Sequence, residues 1–202
     1  MDFPTGGMDA PGSDVRPSID GSPLRAWVLQ DWEANAGRPD SRLLLAWYRL
    51  AQRARRRWGG LARVVVTPYW WLSTLVVGVE LPLDDRVGPR LCLHHPHNIV
   101  VNPQTTIGAD CVLRHGVTIG NQVDRQGNER GTATIGDGVE LGAGCAVIGD
   151  IHVGDHARVG ALAMVTKSLP AWAVAVGNPA RVIAVDAPEE HEQPAATGRA
   201  AL

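Results

Sequence analysis

The sequence predicts an all-β domain, a parallel β-helix, preceded by a small α-helical region. Three observations predict it. From Ile135 every sixth residue is aliphatic or small: Leu141, Val147, Val153, Val159, Val165 and Ala171. Glycine follows that position at Gly136, Gly142, Gly154 and Gly160, and a second small or apolar residue stands four places after it, at Val139, Cys145, Ile151, Ala157, Ala163 and Leu169. The same register appears upstream at Leu81, Val87, Leu93 and Ile99 and, after a two-residue slip, at Ile107, Leu113 and Ile119. A period of six fits neither a helix nor an isolated strand, so it marks a repeat architecture. Three hexads make one triangular coil. The aliphatic points inward, and glycine eases corners whose backbone angles other residues resist.

Residues 1–22 are rich in Gly, Pro, Asp and Ser and are predicted to be disordered. Residues 23–80 form the helical region. Leu24–Asn35 and Ser41–Trp58 are its helices, with Ser41 as N-cap and an apolar stripe at Leu43, Leu44, Trp47, Leu50 and Ala51. The basic cluster Arg53–Arg57 reads as a solvated helix end, where cations suit the dipole, with attraction to phosphate groups or an anionic membrane face as the alternative. Leu61–Val79 is apolar but interrupted by Pro68 and Gly78, and spanning a bilayer takes roughly 20 apolar residues. It reads as a buried helix capping the β-helix, with peripheral membrane contact through Trp70 and Trp71 as the alternative. The β-helix occupies residues 81–184. Sixteen residues separate Ile119 from Ile135 where twelve would keep phase, so the polar Asn121–Thr132 is an exposed loop. Residues 185–202 form a polar, disordered tail.

A net charge of −2 over 202 residues argues against wholesale nucleic-acid binding. Cys111 and Cys145 fall on the inward fourth position and read as small core residues, Cys92 stands beside an inward site, and the absence of a CxxC or disulfide framework fits a reducing compartment. No basic n-region followed by an apolar core opens the chain, which predicts a cytoplasmic protein.

Four histidines, His94, His95, His97 and His115, fall within twenty-two residues. His95 and His115 are each the third residue of a hexad and should stack on one wall about 4.8 Å apart, beside the extruded loop. Histidine suits general-base work near neutral pH, and a general base needs a carboxylate to hold its tautomer. Glu80, Asp84 and Asp85 are the candidates, and spacing does not choose between them.

Leu93-His94-His95 followed by Ile99-Val100-Val101 resembles the catalytic coil of the left-handed hexapeptide-repeat acyltransferases, in their serine acetyltransferase branch. Arg114–Asn121 and Ile135–Gly144 are similar to the colanic-acid type of exopolysaccharide acetyltransferase, and Gly177-Asn178-Pro179-Ala180-Arg181 to the family's closing motif. Asp31–Asn35 and Tyr48–Ala51 resemble its N-terminal helices. The resemblance covers about residues 25–185. It implies a left-handed β-helix, a homotrimer, acetyl-CoA as donor with no metal, and an active site between neighbouring subunits. Carried over, the catalytic histidine falls on His95 and its carboxylate partner on Glu80, with His115 lining the acceptor site or assisting proton transfer. Gly142, Ala143 and Ala161 would meet the pantetheine arm, and Lys167 and Arg181 the CoA phosphates. His94 and Asn121 would contact the acceptor. The serine enzymes have aspartate where this chain has His94, and a loop histidine near Thr132. Both departures point to a sugar hydroxyl as acceptor, in an exopolysaccharide or glycolipid precursor, with L-serine as the alternative. Two other classes stand beside this one. A trimeric metal hydrase would use His95, His97 and His115, although His97 occupies an inward position. A non-catalytic scaffold would keep the trimer without turnover.

Overall fold

A computed structural model describes residues 22–123, 126–127 and 131–187. The segments expected to be disordered lie almost wholly outside the described residues, as does part of the 121–132 loop. The helical region holds α1 (Leu24–Val28), α2 (Pro39–Arg57) and α3 (Arg63–Trp70), the last continuing as a π-helical stretch over Trp71–Val77. Short hydrogen-bonded turns replace the helix expected over residues 29–35.

Three parallel faces follow. The first stacks β1 (Val79–Glu80), β3 (Ile99–Val101), β6 (Thr118–Gly120), β9 (Ala146–Ile148) and β12 (Met164–Val165). The second stacks β4 (Thr106–Ile107), β7 (Thr134–Ile135) and β10 (His152–Val153). The third stacks β2 (Cys92–His94), β5 (Val112–Arg114), β8 (Glu140–Leu141), β11 (Arg158–Val159) and β13 (Ala173–Val176), closed by the antiparallel β14 (Arg181–Val185). Ile107, Leu113, Ile119, Ile135, Leu141, Val147 and Val153 are buried in the prism, as the six-residue repeat requires. All three cysteines are buried, and burial pushes the Cys145 thiol up to about 12.

Registers between coils correct the phasing read from the sequence. Plain coils pair residues eighteen apart, as Val147 with Val165. Leu93 pairs with Leu113, twenty apart, whereas Val101 pairs with Ile119, eighteen apart. The two-residue slip therefore comes before Ile99, not after it. The Gly116 N–H donates to the His97 carbonyl and the His115 N–H to that of His94, so the carbonyls skipped are those of His95-Pro96 and the extra pair lies there. His97 is accordingly exposed rather than inward. Ile107 pairs with Ile135, so the 121–132 loop adds ten residues to its coil rather than four. After Val165 the register shortens: Leu169 bridges Val153, Ala175 pairs with Val159, and Ala171 falls outside, exposed.

A buried polar network ties the helical region to the first coil. Arg49 donates to both oxygens of Asp31, to Gln52 and to the carbonyls of Val87 and Gly88, at 2.6 to 3.1 Å. Asp31 accepts from the Leu91 N–H at 2.9 Å, and Asn35 accepts from the Leu93 N–H at 3.0 Å while donating to the Leu91 carbonyl. Ser41 Oγ donates to the Leu93 carbonyl at 2.9 Å, so it is no N-cap; Arg38 holds that place, and Pro39 opens the helix. β2 is the outermost strand of its sheet, and these side chains satisfy backbone groups that no further strand reaches. Two other expectations fail on this surface. Leu43 is exposed, and Leu61–Val79 is no buried cap: Leu61, Val64, Trp70, Trp71, Leu75 and Val76 face outward. α2 covers only one side of that helix.

Candidate active site

One edge of the prism, where the third face turns into the first, gathers most of the expected residues. Strand registers align Leu93, Leu113, Leu141, Val159 and Ala175 across five coils. The second residue after each lies on the edge: His95, His115, Ala143, Ala161 and Gly177. The imidazoles of His95 and His115 meet edge to face, with ring centroids 6.1 Å apart. That is wider than a strand spacing because the rings are crossed rather than stacked. Both are exposed, and His95 holds a left-handed backbone at φ 54°, which turns the chain out of β2.

Toward the later coils the edge changes character. Ala143 and Ala161 leave their backbone N–H groups without an acceptor among the described residues, while the Ala143 carbonyl takes the Leu162 N–H. Two N–H groups along a strip of small residues suit the amides of a pantetheine arm. Gly142 plays another part. Its N–H donates to the Val159 carbonyl and its carbonyl accepts from the Cys145 N–H, so both are engaged in the coil. A Cβ there would lie 2.6 Å from Ala161 N and Val159 O, so glycine is required for the coils to stack. Arg181 pairs with Val176 at the end of this edge. Lys167 lies after β12, beyond the next corner.

His94 ends β2, half-buried and paired with Arg114. Partial burial lowers its pKa below the usual histidine value, and the nearby Arg38 and Arg114 lower it further. The nearby Glu140 carboxylate works in the opposite direction. Glu80 emerges exposed on the first face beneath Val100 and lines a groove of about 260 Å³ with Arg55, Tyr69, Ser73 and Pro103. No hydrogen bond joins Glu80 to His95 among the described residues. Asp84 and Asp85 are engaged elsewhere, Asp84 with Arg86 and Asp85 with Arg56, whereas Glu80 forms no ion pair among the described residues. Asn121 follows β6 at the far corner of the first face. The loop after it therefore leaves from a different edge than the histidine pair, one face away. Within one chain it does not flank them. Thr132, at its end, shares a 2.8 Å hydrogen bond with Thr105. Among the described residues no three His, Cys, Asp or Glu side chains gather as ligands of one metal ion. Sequence reasoning missed the Asp31–Asn35–Ser41–Arg49 network that anchors β2, although its residues fell inside the quoted helical motifs.

Known proteins share this fold. The bacterial transferase hexapeptide (six repeats) family matches residues 132–167. A serine acetyltransferase of Helicobacter pylori is 35% identical over 156 residues, covering 77% of this chain and 87% of that protein. The colanic acid biosynthesis acetyltransferase WcaB of Escherichia coli is 37% identical over 114 residues, covering 56% of this chain and 68% of its own. Among solved structures, the soybean serine acetyltransferase apoenzyme superposes with a TM-score of 0.64 at 28% identity, covering 79% of this chain and 69% of that one. Serine acetyltransferase of Neisseria gonorrhoeae gives a TM-score of 0.66 at 25% identity, covering 82% and 67%. The chain belongs to the hexapeptide-repeat acetyltransferase family, in its serine acetyltransferase branch, and is an acetyl-CoA-dependent acyltransferase built on a left-handed β-helix.

Proposed function

We propose that the chain acetylates a sugar hydroxyl of an exopolysaccharide or glycolipid precursor, acting as a homotrimer in the cytoplasm. His95 takes the proton of the acceptor hydroxyl as its oxygen attacks the thioester carbonyl of acetyl-CoA. The tetrahedral intermediate collapses, the C–S bond breaks, and the His95 imidazolium returns the proton to the CoA thiolate. Glu80 stabilises the imidazolium, and His115, crossed over His95, lines the acceptor side. The pantetheine arm lies along Ala143 and Ala161, over the close approach that Gly142 permits. Arg181 meets the CoA phosphates, and Lys167 reaches them from a neighbouring subunit, since it lies off the edge that carries the other residues. The neighbour's 121–132 loop, Asn121 included, covers the acceptor in the same way.

The observation that carries the sugar reading is His94 itself, paired with Arg114 and near Arg38, two cations against the one carboxylate of Glu140. The serine enzymes this chain resembles place an aspartate there. A cationic wall repels the ammonium group of a free amino acid, whereas a neutral or anionic saccharide loses nothing against it. L-serine is the second reading, favoured by the 35% identity to the Helicobacter pylori enzyme. Acetyl transfer from acetyl-CoA to L-serine, set against nucleotide sugars and oligosaccharides, separates the two. Turnover confined to L-serine refutes the sugar reading.

A further inference from the structure

We propose that the outer face of Gly59–Val77 docks the protein on a membrane surface rich in anionic headgroups, lying on the bilayer rather than crossing it. Among the described residues this is the stretch long and apolar enough to span a membrane, yet only 17% of it is buried. Its inner side carries Ala62, Tyr69 and Ser73, buried against the protein, with Val65 and Val66 packed beside them. Its outer side carries Leu61, Val64, Trp71, Leu75 and Val76, all more than half exposed, with Trp70 beside Trp71. A helix apolar on every side is one whose outer face is covered by something.

Charge selects the occupant. From Ser41 to Val79 the chain has seven arginines and no Asp or Glu, in a protein of net charge −2. Arg49 is buried on Asp31 and Arg56 pairs with Asp85, but Arg55, Arg57 and Arg63 are exposed beside the apolar face. A second copy on this face would bring like charges together. An anionic lipid surface attracts them, and its interface is where tryptophan settles. The helix cannot leave the protein to cross. Tyr69 packs on Trp47 and Tyr48, with ring centroids 6.3 and 6.0 Å apart, and Val79 enters β1 directly. A groove of about 500 Å³ beside this helix is lined by Asp40, Leu43, Leu72, Val77, Pro96 and His97. The docking is read by binding alone and does not rest on the identity of the acceptor.

The test is co-sedimentation of the full chain with vesicles of mixed phosphatidylglycerol and phosphatidylcholine, against vesicles of phosphatidylcholine alone. The protein should pellet with the anionic vesicles and be released by salt. W70S/W71S should weaken partitioning about tenfold or more, from the apolar area withdrawn. R55E should weaken it by about fivefold, and only on anionic vesicles. The oligomer measured by light scattering should be the same for wild type and W70S/W71S. Equal pelleting with both vesicle types, or none with either, overturns the proposal. So does a W70S/W71S variant that falls to monomer, because the face is then an interface between copies.

Discussion

Asp31→Ala tests whether the helical region holds the first coil, which carries His95, or merely rests on it. The Asp31 and Arg49 side chains are each 2% exposed and joined at 2.7 Å. Removing the carboxylate strands a buried guanidinium, which typically costs about 3–5 kcal/mol. It also leaves the Leu91 N–H without its acceptor, a further loss of about 1 kcal/mol or more. Against a total stability of about 5–15 kcal/mol, that is a large share. At about 2–4 °C per kcal/mol for a chain of this size, the melting temperature should fall by about 10 °C or more. Urea unfolding followed by circular dichroism measures the loss, and amide exchange locates it, since Leu91 and Leu93 should lose protection first. Arg49→Met in the Asp31→Ala background should cost little more, because the two groups act as a pair. A single-mutant loss below about 1 kcal/mol, or strictly additive losses, would refute the argument.

His95→Ala should lower acetyl transfer by about 10²–10⁴ with the oligomer intact, and Glu80→Gln should cost less and add little once His95 is gone; a double mutant with multiplied losses would show the two act separately. Replacing Lys167 and Arg181 together should raise KM for acetyl-CoA more than it lowers kcat, and an unchanged KM would count against the donor path. Gly142→Ala should destabilise by about 1–3 kcal/mol, because the nearest atoms are backbone of the next coil and cannot move aside; a melting curve like that of the wild type would contradict this. His94 should titrate below the usual 6.5. The unfolded chain therefore binds that proton first, so this contribution to stability is full above 6.5 and lost as pH falls through 6.5 to the lowered value. Following the ring proton by NMR checks this, and a midpoint above 6.5 would contradict it.

The repeat was legible because a coil is a local rule copied many times. Each inward site sees the same prism wall, so Leu113, Leu141 and Val159 declare themselves by period alone. The pairing of His95 with His115 followed from the same count. Departures from the period were less legible, since an insertion can be absorbed at any corner, and only hydrogen bonds between coils say which. They place the slip at His95-Pro96, make the loop ten residues longer than a plain turn, and push Ala171 outside. The helical region was harder still. Ser41 and Leu43 follow helix rules well enough to read as a cap and a stripe, yet their surroundings come from β2 and the groove, about fifty residues on. The sequence by itself determined the prism, its inward residues and the chemistry offered along its edge. The tertiary structure alone decided which side chains share that edge and which apolar face stays uncovered, because both depend on contacts between segments that no local pattern encodes.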